Sequence, residues 1–116
     1  MINAQLPGKT YEGRVKYVCK KMVDGGCAIT TYCVLRFSEH AVEVHYYAQA
    51  ACTPKEREAK YSHDYSNEKK TYTWSIVENV ITIEGFNEYG TFKFLDNKII
   101  GSKEDDEEKV FEFTEK

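Results

Sequence analysis

Four cysteines, three histidines and one acidic run are the residues of this 116-residue chain that could do chemistry. Cys19, Cys27, Cys33 and Cys52 are separated by seven, five and eighteen residues, with no Cys-x-x-Cys knuckle of the kind that holds zinc. A nucleophilic cysteine needs a histidine on its own face, and strand alternation sends His45 to the side opposite Cys33. His63 beside Asp64 is the nearest approach to an acid–base pair, and neighbours on a polar loop are ordinarily just solvated. Glu104 to Glu108 is acidic enough for calcium but lacks the alternating ligands and central glycine of a calcium loop. It reads as a solvated turn. There is no Gly-x-Ser-x-Gly and no phosphate loop. The sequence therefore assigns no catalytic residue, no metal site and no cofactor, and the chain is not expected to be an enzyme.

What remains for the cysteines is pairing, which depends on the strands that carry them. Strand one runs from about Thr10 to Met22, with Tyr11, Gly13, Val15, Tyr17 and Cys19 on one face. A three-residue loop, Asp24-Gly25-Gly26, would set Cys19 against Thr31, Tyr17 against Cys33 and Val15 against Leu35. Strand two spans Cys27 to Phe37. A turn at Glu39-His40 leads to strand three, Ala41 to Cys52, pairing Phe37 with Val42, Leu35 with Val44, Cys33 with Tyr46 and Cys27 with Cys52. Directly opposed residues on antiparallel strands have Cβ atoms about 4.5–5.5 Å apart, close to disulfide range. Of the three connectivities open to four cysteines, the expected one is Cys27–Cys52 with Cys19–Cys33, the second pair being a diagonal that needs local adjustment. Four reduced, buried cysteines are the alternative. Paired cysteines imply an oxidising compartment.

The second half gives the clearest alternation. Tyr72, Trp74 and Ile76 alternate with Thr71, Thr73 and Ser75. A two-residue turn at Glu78-Asn79 sets Ile76 against Ile81, Trp74 against Ile83 and Tyr72 against Gly85. A loop at Asn87-Glu88-Tyr89-Gly90 would pair Ile83 with Phe94 and Gly85 with Phe92. A turn at Asp96-Asn97 would pair Ile99 with Phe94 and Gly101 with Phe92. Between the halves, Thr53-Pro54-Lys55-Glu56 has the form of a capping box, predicting a short helix, with a short strand through Tyr61, His63 and Tyr65 as the competing reading. A polar crossover with its tyrosines packed on the body is the ordinary role for residues 53–69, and a functional lid the sharper one.

Composition bounds the rest. Nineteen acidic against sixteen basic residues give a net charge of −3, which argues against nucleic acid as the main partner. No apolar run approaches the roughly 20 residues of a spanning helix. Residues 1–9 read as a polar lead-in, with Met1 an added start on a secreted or envelope domain whose targeting segment has been removed. A cytoplasmic location follows instead if the cysteines are reduced. Residues 10–116 form one domain, expected to be monomeric. Strand eight and its approach are acidic at Glu108 and Glu112 and strand one is basic at Arg14, Lys16 and Lys20, so the two ends are expected to pair and close the sheet.

The predicted fold is an all-β, eight-stranded antiparallel up-and-down barrel, a flattened sandwich being its variant. The pattern Gly8-Lys9-Thr10-Tyr11-x-Gly13, the successive hairpins, and Tyr72-x-Trp74-x-Ile76 leading into Ile81-Thr82-Ile83 resemble the calycin group, specifically small bacterial lipocalin-like domains. The Gly-x-Trp of animal lipocalins has no counterpart here. The resemblance implies binding inside or at the mouth of a barrel. Tyr11, Tyr17, Tyr46, Tyr72, Trp74, Phe92, Phe94, Phe111 and Phe113 are expected to point inward, and buried tyrosine hydroxyls need partners. The expectation is a non-enzymatic module taking a small apolar or amphipathic ligand at the mouth, lined by Tyr17, Tyr46, Tyr72 and Trp74. The alternative is a protein-interaction or inhibitor module with a packed core, using residues 53–69 and outer aromatics such as Tyr32 and Tyr47.

Overall fold

The computed structural model describes residues 6–64, 69–86, 91–103 and 106–116. Among these lie nine strands: β1 (Thr10–Met22), β2 (Gly25–Phe37), β3 (Ala41–Thr53), β4 (His63–Asp64), β5 (Lys70–Val77), β6 (Val80–Ile83), β7 (Thr91–Leu95), β8 (Lys98–Lys103) and β9 (Asp106–Glu115). Eight of them close into an antiparallel barrel in the order β1-β2-β3-β5-β6-β7-β8-β9, with β9 returning to β1. The two-residue β4 pairs with β3 beyond the end of β5. A 3₁₀ turn (Lys55–Arg57) and a single helical turn α1 (Glu58–Tyr61) join β3 to β4. No described helix is long and apolar enough to cross a membrane.

Local chemistry explains much of this order. The β5–β6 and β7–β8 hairpins turn on Glu78-Asn79 and Asp96-Asn97, and all four residues take positive φ, from 50° to 70°. That is the two-residue turn whose twist matches its flanking strands. The expected pairs Ile76–Ile81, Trp74–Ile83, Phe94–Ile99 and Phe92–Gly101 all form. So do Phe37–Val42, Leu35–Val44, Cys33–Tyr46 and Cys27–Cys52. At the β1–β9 seam a side chain on Gly13 would come within 2.8 Å of the Phe113 ring and 3.0 Å of the Glu112 carbonyl oxygen, so only glycine lets the two backbones meet.

Four expectations about register and ends change. The β1–β2 hairpin turns at Val23-Asp24, with Met22 opposite Gly25, rather than over Asp24-Gly25-Gly26. Between Arg14 and Lys16 a β-bulge adds one residue to β1, so Tyr17 and Cys19 pair with Thr30 and Ala28 instead of Cys33 and Thr31. Past the bulge these two side chains point outward. β6 and β7 pair Ile81 with Phe92 and Val80 with Lys93, which leaves a longer connection than the one expected from residues 87–90, themselves outside the described residues. The same faces still point inward, because the shift is even. Finally, Leu6 in the polar lead-in is completely buried in the core.

The core fills one end and the middle of the barrel. Tyr11, Leu35, Val42, Phe92, Ile99 and Phe113 are sealed from solvent, with Leu6 among them. Rings meet edge-on, Tyr11 with Phe37 and Phe94, Phe37 with Trp74, and Phe92 with Phe113, at 5.2–6.2 Å between centroids. The Trp74 indole N–H donates to the Ser38 carbonyl at 2.9 Å.

The shape is uneven. The molecule measures 54 × 30 × 25 Å with a radius of gyration of 16.0 Å. A compact chain of this length would have about 13 Å. The excess is the far half of β1, β2 and β3, which continues past the last pairs with β9 and β5 as a three-stranded arm.

Candidate functional site

The cysteines settle first. Cys27 and Cys52, opposed in the arm, form a disulfide with 4.1 Å between Cα atoms. The expected Cys19–Cys33 bond does not form: Cys33 is buried in the barrel wall, whereas Cys19 sits exposed on the outer face of the arm, turned there by the bulge. Its thiol donates to the Tyr17 hydroxyl at 3.2 Å.

The four residues expected to line a ligand mouth separate. Tyr17 is 57% exposed on the outside of the arm and cannot line the barrel. Trp74 is buried in the core with its ring edge-on to Phe37 at 5.2 Å. Tyr46 and Tyr72 do stand on the inner face at the arm end, where they are half-buried together with Val15 and Phe111. Phe86, which strand alternation gave no reason to select, is buried there with its ring 5.3 Å from Tyr72.

A second group gathers on the outer face where barrel and arm meet. Glu12 on β1, Tyr32 on β2 and Tyr47 on β3 project on the same side. Tyr32 and Tyr47 stack at 4.9 Å. The Tyr47 hydroxyl donates to Glu12, and Lys116 Nζ lies 3.1 Å from the same carboxylate and over the Tyr47 ring. Burial, followed by the Glu12 hydrogen bond and its negative charge, pushes the Tyr47 phenol far above its ordinary pKa. A phenol held so firmly protonated is neither nucleophile nor base. Beside it lies an open cleft of about 550 Å³ bordered by His45, Tyr47, Gln49, Ser62, His63 and Lys116. His45 Nδ1 is buried without a hydrogen-bond partner among the described residues. Among the described residues no three histidine, cysteine or acidic side chains converge as metal ligands would.

Residues 53–64 brace the arm. No side chain caps the 3₁₀ turn, so the capping box is not formed. Instead Glu58 accepts the Cys52 N–H and Ser62 the Ala50 N–H, both at 3.0 Å, which satisfies the outer edge of β3. Arg57 reaches Asp24 at the arm's tip at 2.5 Å and holds its carboxyl below the usual range. Lys20 lies 5.1 Å over the Tyr61 ring. The expected short helix forms as the 3₁₀ turn and α1. The competing strand through Tyr61, His63 and Tyr65 does not form as such, since Tyr61 ends α1, only His63–Asp64 is extended as β4, and Tyr65 lies outside the described residues.

The fold defines a closed, eight-stranded antiparallel barrel of one chain, compatible in architecture with lipocalin-like domains. Comparison with protein-family models, with curated proteins and with solved structures finds no match.

Proposed function

We propose that this protein is a non-enzymatic binding module of the cell exterior or envelope that engages a protein partner through its arm, the barrel serving as a filled scaffold. The observation behind this reading is the contrast between interior and projection. The interior is occupied by the chain's own rings, while a braced three-stranded arm carries exposed Tyr17 and a fully exposed Val23 at its tip. A domain with the Cys27–Cys52 bond suits an oxidising compartment. The resemblance to small bacterial lipocalin-like domains, and by analogy to small β-barrel inhibitors of envelope hydrolases, fits a barrel that binds without catalysing. The test is a photo-crosslinking residue placed at Val23 or, at the opposite end, at Val77, in cells of the source organism. A discrete protein adduct from Val23 alone supports the arm; adducts from neither position sink it.

A second reading has its own support. Tyr46, Tyr72 and Phe111 remain half-buried at the arm end of the barrel, where a small apolar or amphipathic ligand could cover them. A thermal-shift panel of fatty acids, sterols and haem separates the two readings, because a ligand held by the folded state alone raises the melting temperature.

A further inference from the structure

The two long edges of the arm are treated differently. On the β3 side, β4, Ser62 and Glu58 cover the main chain at Tyr47–Ala48, Ala50 and Cys52. On the other side β1 pairs with β9 only at Tyr11, Glu12 and Gly13. From Arg14 to Met22 that edge meets no strand among the described residues. It offers about 30 Å of main chain, at about 3.3 Å per residue, with peptide groups unpaired on one side.

The open edge is also the basic part of an acidic protein. Arg14, Lys16, Lys20 and Lys21 all belong to it, against a net charge of −3 for the whole chain, and of these Lys20 turns its ammonium to the Tyr61 ring. The register distributes these cations over both faces. Arg14 and Lys21 pair with Tyr32 and Gly26 on the outer side, and Lys16 and Lys20 pair with Thr31 and Cys27 on the side of the disulfide. A second copy laid against this edge would bring two basic strips together, and like charges across a strand pair are destabilising. An added strand bearing carboxylates at alternate positions meets cations whichever way each side chain points.

We propose that the open edge of β1, Arg14 to Met22, receives an extended acidic segment of a partner protein by strand addition. The main-chain groups of β1 provide the pairing, and Arg14, Lys16 and Lys21 select for carboxylates. This rests on the binding-module reading and sharpens it to one edge and one partner chemistry. Attraction to exposed cations is screened by salt, so binding weakens as ionic strength rises.

The probe is a fluorescein-labelled decapeptide of alternating Glu and Thr, titrated with the intact protein by anisotropy. Three controls accompany it: a Lys–Thr counterpart, a version N-methylated at alternate residues, and hydrogen exchange across residues 16–22. The expected result is saturable binding of the acidic peptide alone, with slowed exchange in that segment. Binding should fall about tenfold or more in R14E/K16E/K21E, as charge reversal at a complementary interface predicts. The single variant K16E should show a smaller loss in the same direction, and covers the event that the triple variant misfolds. The control Lys93→Glu, on β7, should bind as the native chain does. No binding, equal binding of the N-methylated peptide, or equal binding by the charge-reversed variants each overturns the proposal, as does a dimer that competes with the peptide. A partner crosslinked from Val23 in native and triple-variant protein alike would overturn this edge while leaving the binding-module reading intact.

Discussion

Barrel and arm share three strands, β1, β2 and β3, yet they are held together by different means. In the barrel, β1, β2 and β3 belong to a closed sheet whose inner faces meet across a ring-filled core, and closure itself removes every edge. In the arm the same strands have no opposite wall. There the sheet relies on one covalent bond, on Glu58 and Ser62 at its β3 edge, and on the Arg57–Asp24 pair at its tip. Burial does the work where walls face each other, and cross-links and polar contacts take over where they do not.

That contrast can be tested in order of expected effect. Phe92→Ala removes a sealed ring that packs on Phe86 and Phe113, and should cost about 3–5 kcal/mol in denaturant unfolding. A loss below about 1 kcal/mol would mean that the barrel is not the main store of stability. Replacing both Cys27 and Cys52 with serine opens a link spanning 25 residues and should cost about 3 kcal/mol. Hydrogen exchange should then quicken first in Gly25 to Ile29 and Ala50 to Thr53. Equal quickening in Phe92 to Leu95 would show arm and barrel to be one cooperative unit. In the other direction, the buried Tyr11 hydroxyl has no hydrogen-bond partner among the described residues, so Tyr11→Phe should raise stability by about 1 kcal/mol.

The smallest effect is a pH dependence. Burial first, and then neighbouring carboxylates, raise the Tyr11 and Tyr47 phenols above their ordinary value of 10.0. Below pH 10.0 both are protonated folded or unfolded, and their contribution is fully present. Above it the unfolded chain releases protons that the folded chain retains, so stability falls as pH rises towards the folded values. Urea midpoints measured on both sides of pH 10.0 should show this decline, and Tyr47→Phe should reduce it. An unchanged slope in that variant would mean that Tyr47 ionises as freely in the fold as outside it.

What could be read from the sequence follows the same division. Hairpins with two-residue turns were legible because alternation and turn chemistry agree, as at Ile76-Val77-Glu78-Asn79-Val80-Ile81. The β2–β3 register, and with it the Cys27–Cys52 bond, was legible for the same reason. The bulge was not, since one extra residue leaves Tyr11, Gly13, Val15, Tyr17 and Cys19 in apparent alternation while their faces part company. Closure of β1 on β9 was expected from opposite charges. It occurs at Tyr11–Gly13, where Lys9 and Lys116 meet Glu115 and Glu12, and Glu112 turns to Lys98 instead of strand one. The outer cluster of Glu12, Tyr47 and Lys116 joins residues distant in sequence, and no local pattern announces it. Leu6, in a start read as a polar lead-in, carried no local pattern that would announce its burial in the core.

The extra residue in β1 has a chemical consequence for a chain meeting an oxidant. With Cys19 facing the solvent and Cys33 locked inside the wall, the native arrangement keeps those two sulfurs on opposite sides of a sheet. Once the wall has formed, only Cys27 and Cys52 stand across from one another, and the native fold itself selects the correct partner from among four thiols.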